Sequence, residues 1–384
     1  MSGDRITSVA WRRFAVPLRS PLVASWGETR MRPGFFVRVE TANGTAGEGE
    51  ASPLAGYVGG GLEETEQALA RLARGALGRP LDDPWPALEA LEGLSTGSTA
   101  AARCGLETAI GDATARAAGV PLRSLLAVRA GLPPGDRAAS IPVNELIDAT
   151  DPDDVSKAAA GAHAAGYPAI KIKVGGDPGS DAVRVGAARA AAGPEMELRV
   201  DANGGWSRGQ AQLFLRLSRD SAIALCEEPV ALGPGQLREM RELREEFGVP
   251  LALDESCTGL EAMTTGSEAG AIDAVVLKPM VLGLGPALEM LAEAGGHGLR
   301  CIVTTTFDAG WGTMAAAQLA ALLPEPRAAC GLATLDRLEH SLVRGAPAVR
   351  RGHIQLPGGP GLGVSCDEPA FERHASGPGA RFET

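Results

Sequence analysis

Charged residues recur at a nearly constant step through the middle of this chain. Lys173, Asp201, Glu227, Asp254 and Lys278 follow one another at intervals of 24 to 28 residues. Each stands at the end of a short apolar run rich in β-branched residues. This interval is about the length of one strand, one helix and two loops. The pattern therefore predicts five successive βα units, each with a charged group at the same end of its strand.

Strand-like runs alternate with helical stretches from residue 139 onward. The candidate strands are SIPVNEL, AIKIKV, LRVDAN, ALCEEPV, PLALDES, AVVLKPM, CIVTTTF and, more weakly, AACGLAT. This alternation, with nearly continuous apolar strands, indicates a parallel sheet covered by helices. Eight strands favour a closed barrel over an open sheet. The charged residues would then line the mouth of the barrel, where barrels of this kind build active sites.

The N-terminal part is predicted to be a smaller α+β unit that ends near residue 138. Two strand-like segments and two helical segments are expected there: residues 6–18, 35–50, 62–79 and 98–118. Asn43-Gly44 predicts the turn of a hairpin, and the Pro/Gly-rich segment 131–137 predicts a linker. The glycine-rich segment 56–64 is expected to be a mobile loop. The tail after residue 345 is expected to be loop-like and to pack back onto this unit.

The composition narrows the class of protein. The chain has 384 residues, of which 45% are hydrophobic, enough for one large domain and a smaller one. Its net charge of −11 argues against nucleic acid as a partner. We expect a cytoplasmic protein without a membrane segment, because no apolar run and no secretory signal stand out. Six scattered cysteines without a C-x-x-C pair are expected to be buried thiols.

Three lysines are expected at the mouth. Lys171 and Lys173 are two residues apart on one strand, so their side chains point to the same side. Lysines on an exposed sheet edge would simply be solvated, but a closed barrel has no such edge. Lys278, four strands further along the ring, could be the structural partner of a carboxylate, a base, an electrostatic stabiliser or a Schiff-base nucleophile.

The three acidic residues suggest a metal site. Asp201, Glu227 and Asp254 would end three adjacent strands. A helix N-cap could explain one such residue but does not explain three in succession. Carboxylates this close repel one another unless a hard divalent cation such as Mg²⁺ lies between them. Spacing alone does not decide whether Glu227 or its neighbour Glu228 would bind the metal.

Further polar residues are candidates for contacts near the substrate. Arg199 and Asn203 share the strand face of Asp201 and could serve as an electrostatic group and a supporting group. His297 precedes its strand and is therefore expected at the opposite end of the barrel. The other histidines have no partner motif and are expected to be structural.

The motifs together resemble a known family. K-x-K, D-A-N, E-E-P, D-E-S and K-P on five consecutive strands resemble the enolase superfamily, in its muconate lactonizing enzyme subgroup. GEGEASPLAGY, LEETEQAL and GLATLDRLEHSLV are similar to segments of o-succinylbenzoate synthases. The resemblance covers nearly the whole chain. It implies a (β/α)7β TIM-like barrel over residues 139–345, under an α+β capping domain built from residues 1–138 and 346–384.

The resemblance also implies a reaction. Mg²⁺, for which Mn²⁺ can substitute, would be held by Asp201, Glu227 and Asp254 and would bind the carboxylate of a small-molecule substrate. Lys173 would remove the α-proton to give an enediolate, with Lys171 helping to lower its pKa. Lys173 would then protonate the departing hydroxyl while Lys278 stays charged. The implied reaction is the syn dehydration of 2-succinyl-6-hydroxy-2,4-cyclohexadiene-1-carboxylate in menaquinone biosynthesis.

Three residues are predicted to contact the rest of that substrate. Thr306 and Asp308 lie at the end of the seventh strand, in TTTFDAGWG, where a glutamate is common in place of Asp308. Trp26 lies in a loop between two strands of the capping domain and could close over the mouth as part of a lid. The alternative for Trp26 is a buried position within the cap.

Other functions stay open at this point. Two opposed lysines suit an N-acylamino acid racemase or a dipeptide epimerase as well as they suit a dehydratase. A protein of another class, a non-catalytic barrel that kept the fold, would not need all six charged groups. A Schiff-base aldolase would not need three clustered acids. The absence of a histidine at the end of the seventh strand disfavours a lysine/histidine racemase. A homo-oligomer is compatible with the sequence.

Overall fold

A computed structural model of the protein describes residues 4–24, 27–54, 56–57, 60–81, 99–132, 139–231 and 233–384. Its N-terminal sheet is antiparallel. The sheet contains β1 (Ile6–Ala24), β2 (Gly27–Thr41), β3 (Ala46–Ala51) and β16 (Ala375–Glu383), in the order β16-β1-β2-β3. Gly44 has a φ of 81° in the turn between β2 and β3, a conformation that glycine adopts easily. The predicted hairpin is confirmed.

Three helices cover this sheet: α1 (Leu62–Ala76), α2 (Ala100–Ala118) and α3 (Leu122–Arg129). Helix α2 packs directly on β3, because a Cβ atom at Gly49 would lie 2.2 Å from the carbonyl oxygen of Gly105. The two predicted helices are confirmed, whereas the short α3 was not predicted. The predicted loop 56–64 already contains the start of α1, where the Glu64 side chain accepts a hydrogen bond from the Gly61 N–H.

Seven parallel strands in chain order form the main sheet. They are β5 (Asn144–Ile147), β6 (Ala169–Lys173), β7 (Glu197–Asp201), β8 (Ile223–Glu227), β9 (Leu251–Leu253), β10 (Ala274–Leu277) and β11 (Arg300–Val303). The weakly predicted eighth strand consists of Cys330 and Gly331, which bridge Val143 on one side and Thr304 on the other in parallel register. These bridges close the ring, and the predicted (β/α)7β barrel is confirmed.

Helices alternate with the strands around the barrel. They are α4 (Pro152–Ala164), α5 (Pro178–Ala192), α6 (Arg208–Leu217), α7 (Gln236–Phe247), α8 (Leu260–Glu268), α9 (Pro279–Leu282), α10 (Leu284–Ala294) and α11 (Gly310–Ala320). Polar residues begin several of them: the Asp151 side chain accepts from backbone N–H groups of α4, and the Asp177 side chain does the same for α5. His297 lies in a 3₁₀ turn just before β11, at the end of the barrel opposite the mouth, as predicted.

A cluster of apolar side chains fills the interior of the barrel below the mouth. They are Leu225, Ala252, Ala274, Ile302 and Ala328. Each of the first three precedes one of the charged residues at an even spacing along its strand, so its side chain points inward as well. The charged layer therefore rests on a largely apolar layer, which also contains the buried Arg199 in register with Leu225. The six cysteines are buried and free, as expected.

The start of the barrel and the C-terminal tail differ from the prediction. Residues 140–146 were predicted to be one strand, but β4 (Ser140–Pro142) pairs with β14 (His353–Gln355), outside the barrel sheet. The tail was predicted to be loop-like. It contains β13 (Val349–Arg350), β14, β15 (Ser365–Cys366), α12 (Glu368–His374) and β16, and β12 (Val343–Arg344) lies just before it. Strands of two or three residues are too short to show an alternating pattern.

Only part of the tail returns to the N-terminal sheet. Strand β16 pairs with β1, and Phe371 of α12 lies against Phe14 and Phe36 of that sheet. Strands β13 and β14 instead join β4. Within the ranges that the structure describes, no helix is both long and apolar enough to cross a membrane.

A buried carboxylate links the cap to the barrel. Glu50 on β3 accepts hydrogen bonds from the backbone N–H groups of Ala309 and Gly312, at 2.8 and 2.9 Å, where α11 begins. It also accepts from the Ser52 hydroxyl at 2.6 Å. Burial, together with repulsion from Asp308, raises the pKa of Glu50 to about 7. One side chain of the cap thus accepts hydrogen bonds from backbone N–H groups at the start of a barrel helix, which have no partner within the helix itself.

Replacing Glu50 by alanine should destabilise the fold. The substitution leaves two buried N–H groups without their acceptor, at a cost of about 1–3 kcal/mol each. We expect a clear fall in the urea midpoint, measured by intrinsic fluorescence. Glu372→Ala is the control, since it removes an exposed ion pair with Arg12, and it should change the midpoint little. Equal midpoints for both variants would contradict a role of Glu50 in joining cap and barrel.

Candidate active site and metal centre

Three carboxylates meet at the mouth of the barrel. Asp201 ends β7, Glu227 ends β8 and Asp254 follows β9, so the parallel sheet brings them to one edge. All three are buried, and one oxygen of each lies within 4.8 Å of the others. The structure therefore brings together the three acids that the spacing singled out.

These three residues fit a hard divalent cation. The donors are carboxylate oxygens only, which Mg²⁺ and Mn²⁺ prefer, and three such ligands leave coordination positions for water and substrate. Burial by itself raises the pKa of Asp201, but the charges of Lys171 and Lys173 outweigh it and hold that pKa far below its usual range. Asp201 is therefore ionised at neutral pH and ready to act as a ligand.

Lys171 is a buried counter-charge to two of the acids. Its Nζ atom forms ion pairs with Asp201, at 2.8 Å, and with Glu227. Burial acts to lower the pKa of Lys171, but the two carboxylates overcome this and raise that pKa well above its ordinary value. Lys171 therefore keeps its proton, which suits an electrostatic role and not that of a base.

Lys173 and Lys278 lie on opposite flanks of the acidic cluster. The Nζ atom of Lys173 on β6 is 2.8 Å from Oδ2 of Asp201 and 2.7 Å from Oδ1 of Asn203. The Nζ atom of Lys278, directly after β10, is 2.6 Å from Oδ1 of Asp254. Two ammonium groups thus face the same cavity from the second and the sixth strands of the ring.

Glu228 points away from the cluster. It has a φ of 39°, and its Oε1 atom accepts hydrogen bonds from the backbone N–H groups of Asp254 and Ser256, both at 2.8 Å. Gln236 donates to its other oxygen at 2.6 Å. The structure thus places Glu227 in the cluster and uses Glu228 to fix the backbone that carries Asp254.

Asn203 holds Lys173 in position. Its Oδ1 atom accepts from Lys173, and its Nδ2 atom donates to Glu255 at 2.6 Å. Burial, followed by repulsion from Asp254, raises the pKa of Glu255 to about 8. Asn203 also lines the cavity, so it lies where the predicted supporting group was expected.

Tyr57 of the cap was missed by sequence reasoning. Its hydroxyl donates to Asp254 at 3.1 Å and accepts from Lys278, whose Nζ atom lies 4.5 Å from the ring centroid. Burial, with nearby Asp254, raises the pKa of Tyr57 well above its usual value, so the phenol stays protonated. The only available signal was an aromatic residue in a glycine-rich segment expected to lie over the mouth.

A cavity of about 510 Å³ opens above the cluster. Its charged side is formed by the three acids and the three lysines. The remaining wall comes mostly from the other side of the ring. Its two charged residues, Asp148 and Arg184, are paired with Arg337 and Asp181. The neutral lining includes Leu22, Leu54, Asn144, Leu146, Ile302, Thr304, Thr306, Phe307 and Ala333. A volume of this size holds a small organic acid.

Two predicted substrate contacts do not reach this cavity. Arg199 is fully buried, and its guanidinium donates to Glu197 and to the carbonyl of Ala329 inside the barrel. The two-residue period of the strand correctly predicted that Arg199 points into the barrel. Its side chain lies one layer of residues below the mouth, however, and so does not reach the cavity. Asp308 is also outside the lining; it accepts from the Thr306 hydroxyl at 2.6 Å and lies 3.5 Å from Arg32 of the cap.

Thr306 does line the cavity. Its hydroxyl is engaged by Asp308, and its carbonyl accepts from the Arg32 side chain at 3.0 Å. Arg32 also donates to the carbonyl of Pro53 at 2.7 Å, close to the cap residues that cover the mouth. Trp26, the predicted lid residue, lies outside the described residues.

A capped (β/α)7β barrel with charged residues at the carboxyl ends of its strands is an enzyme architecture. The sequence model of the mandelate racemase / muconate lactonizing enzyme N-terminal domain matches residues 6–127. That of the enolase C-terminal domain-like family matches residues 154–370. The chain belongs to the enolase superfamily, as its motifs predicted.

Relatives of this chain have different activities. The o-succinylbenzoate synthase of Thermobifida fusca is 36% identical over 205 residues, which cover 53% of this chain and 62% of that protein. The L-Ala-D/L-Glu epimerase of Bacillus subtilis is 26% identical over 94% of this chain and 96% of its own length. The dipeptide epimerase of Cytophaga hutchinsonii, solved with Mg and D-Ala-L-Val, superimposes with a TM-score of 0.87 at 26% identity, covering 98% of this chain and 99% of its own.

Metal binding can be measured without an assay of activity. We expect the apo-protein to bind one Mn²⁺ per chain, followed by electron paramagnetic resonance, with Mg²⁺ competing for the site. Glu227→Gln should weaken binding by more than about 100-fold, since losses of 10–100-fold are typical of residues that only support a ligand. Glu228→Gln is the matched control and should weaken it less. Equal affinities for both variants, or no Mn²⁺ bound by the native protein, would rule out this site.

Proposed function

We propose that this protein is a Mg²⁺-dependent o-succinylbenzoate synthase, acting on 2-succinyl-6-hydroxy-2,4-cyclohexadiene-1-carboxylate. The observation that carries the proposal is the unequal setting of the two lysines that flank the acidic cluster: the Lys173 side chain is accessible from the cavity, whereas that of Lys278 is buried. A carboxylate bound at the cluster puts its α-carbon between the two ammonium groups. When bound, Mg²⁺ would hold that carboxylate and offset the negative charge that develops as the α-proton leaves.

The two lysines are not equivalent, and this supports a dehydration. The Lys278 side chain is 12% exposed and is held by Asp254 and Tyr57, so it suits a fixed positive charge. The Lys173 side chain is 36% exposed and can reach into the cavity. One accessible amine that can transfer protons and one buried cation that stabilises charge are what a dehydration on a single face requires.

Lys173 would carry both proton transfers. In its neutral form it takes the α-proton, and the electrons of that C–H bond become part of the new C=C bond as the C–O bond of the hydroxyl breaks. Lys173 then gives the same proton to the departing hydroxyl, which leaves as water. The 36% identity to the synthase of Thermobifida fusca, over 53% of this chain, also supports this reaction, whereas the Bacillus subtilis epimerase matches 94% of the chain at 26% identity.

A second candidate is a 1,1-proton transfer, as in an N-acylamino acid racemase or a dipeptide epimerase. It is favoured by the fact that both ammonium groups line the cavity from opposite sides. In that reaction one lysine removes the α-proton and the other delivers a proton to the opposite face. The first step is the same as in the dehydration.

A substrate panel separates the two candidates. Purified protein with Mg²⁺ should dehydrate the cyclohexadiene substrate with a kcat/KM at least about 100-fold above that for epimerisation of N-succinylamino acids or dipeptides. Dehydration is followed by ultraviolet absorbance and epimerisation by polarimetry. Faster epimerisation of any member of the panel would favour the second candidate.

Lysine variants test the roles directly. Lys173→Ala should lose at least the ~10²–10⁴-fold typical of one acid–base group. Lys278→Arg should keep more activity than Lys173→Arg, because only charge is needed at position 278. Lys157→Ala, on an exposed face of α4, serves as the control for folding and handling.

The same variants distinguish racemisation from dehydration. In deuterated water, a two-base racemase would lose α-proton exchange from one enantiomer of an N-acylamino acid in the Lys173 variant and from the other in the Lys278 variant. Mass spectrometry measures this exchange. Exchange of both enantiomers in both variants would exclude the two-base reaction.

A further inference from the structure

The wall opposite the acidic cluster must contact the part of the substrate beyond its α-carbon. Strands β7 to β9 carry or precede the three acids, and β6 and β10 lead to the two flanking lysines. The rest of the ring is formed by β11, residues 330–331 and β5. If the carboxylate lies at the cluster, as the proposed function requires, the adjoining group of the substrate extends towards these three segments.

Gly331 leaves a recess in this wall. The parallel bridges Val143–Cys330 and Thr304–Gly331 put Asn144, Gly331 and Thr304 side by side in register. All three line the cavity. Gly331 has no side chain, and a Cβ atom there would lie 2.7 Å from Cγ2 of Thr304. With strands about 4.8 Å apart, the recess between Asn144 and Thr304 is roughly 10 Å wide from backbone to backbone.

Asn144 brings an unused polar group to this recess. The residue is 4% exposed, and its backbone N–H donates to the carbonyl of Cys330 at 3.0 Å. Its carboxamide lines the cavity and forms no hydrogen bond to another residue within the described ranges. Buried side-chain amides are normally hydrogen-bonded, so a bound ligand is the natural partner for this one.

Thr304, on the other side of Gly331, also has a polar side-chain group without a hydrogen-bond partner among the described residues. That group is its hydroxyl, which is buried. The two following threonines differ, since Thr305 bonds Thr334 and Thr306 bonds Asp308. In the structure the methyl group of Thr304 is the group nearest to Gly331. Rotation about the Cα–Cβ bond would turn the hydroxyl towards the recess in its place.

Among the described residues, the wall around the recess carries no unpaired charge: Asp148, its one carboxylate, accepts a hydrogen bond from Arg337 at 2.8 Å. Ile302, Leu146 and Ala333 adjoin the recess, whereas the cationic lining residues Lys171, Lys173 and Lys278 belong to the charged side. Arg184 is the other cation in the described lining, and its guanidinium is held by Asp181 and by the carbonyls of Ala149 and Lys173. A neutral recess with an amide donor suits a neutral oxygen acceptor better than a charged group.

We propose that the Asn144 carboxamide is a specificity-determining group that donates a hydrogen bond to a carbonyl oxygen of the substrate, on the acyl group attached next to the α-carbon. The substrate class is then a carboxylic acid that carries a keto or amide carbonyl two bonds from that carbon. The proposed synthase substrate has such a ketone, and N-acylamino acids have such an amide. This inference deepens the proposed function and rests on it for the orientation of the substrate.

The test compares two ligands that differ only at this carbonyl. The Mg²⁺-loaded protein is titrated calorimetrically with o-succinylbenzoate and with 2-(3-carboxypropyl)benzoate, in which a methylene replaces the ketone. Wild type should bind the ketone more tightly. Asn144→Leu, which is nearly isosteric, should weaken binding of the ketone about tenfold, the effect of one hydrogen bond of about 1.4 kcal/mol, and leave the methylene ligand nearly unchanged.

Equal losses for both ligands, or no loss for either, would overturn the role of Asn144. Mn²⁺ binding and the urea midpoint verify that the variant is folded, and Asn144→Ala replaces it if it is not.

Failure of the proposed function looks different: the wild type would then exchange α-protons of amino acid derivatives without dehydrating the cyclohexadiene substrate. In that case the same comparison is made by α-proton exchange on N-acyl and N-alkyl amino acids, and an equal effect of Asn144→Leu on both overturns the proposal.

Discussion

The pairing of Lys171 with Asp201 and Glu227 is the interaction on which the rest of the site depends. Three carboxylates whose oxygens lie within 4.8 Å of one another are buried at the mouth, and such an arrangement is costly without compensation. Because Lys171 is buried among them and keeps its charge, Lys173 and Lys278 are left on the two flanks, facing the cavity. The cap adds Tyr57 above Lys278 and thereby separates that lysine further from solvent.

The charged half of the site could be predicted from the sequence, because it depends on local rules. The two-residue period of a strand and the length of a βα unit are sufficient to place the lysines and the three acids on one mouth. The two-residue period predicts which face a side chain is on, but not how deep it lies along the barrel axis. For this reason Arg199 was predicted to contact the substrate, although it lies one layer below the mouth. Asp308 was misplaced because its partner, Arg32, comes from a distant part of the chain.

The contribution of the cap could not be predicted in the same way. Tyr57 reaches Asp254 and Lys278 across a long sequence separation, and nothing in its neighbourhood distinguishes it from a loop residue. The cap also supports the barrel: Glu50 satisfies the first turn of α11, and Arg32 fixes the backbone at Thr306. The cavity consequently has two halves. The positions of the charged residues in one half follow from strand geometry, whereas the shape of the other half depends on Gly331, Asn144 and the residues of the cap.

The pairing of β16 with β1 has a consequence for synthesis of the chain. Strand β16 follows every strand of the barrel in sequence, so a ribosome has produced the complete ring before it has produced the fourth strand of the N-terminal sheet. Until then the edge of β1 carries unpaired backbone groups, a surface that can pair with other chains. The edge of β1 is therefore covered only after the barrel strands have been made, when β16 pairs with it.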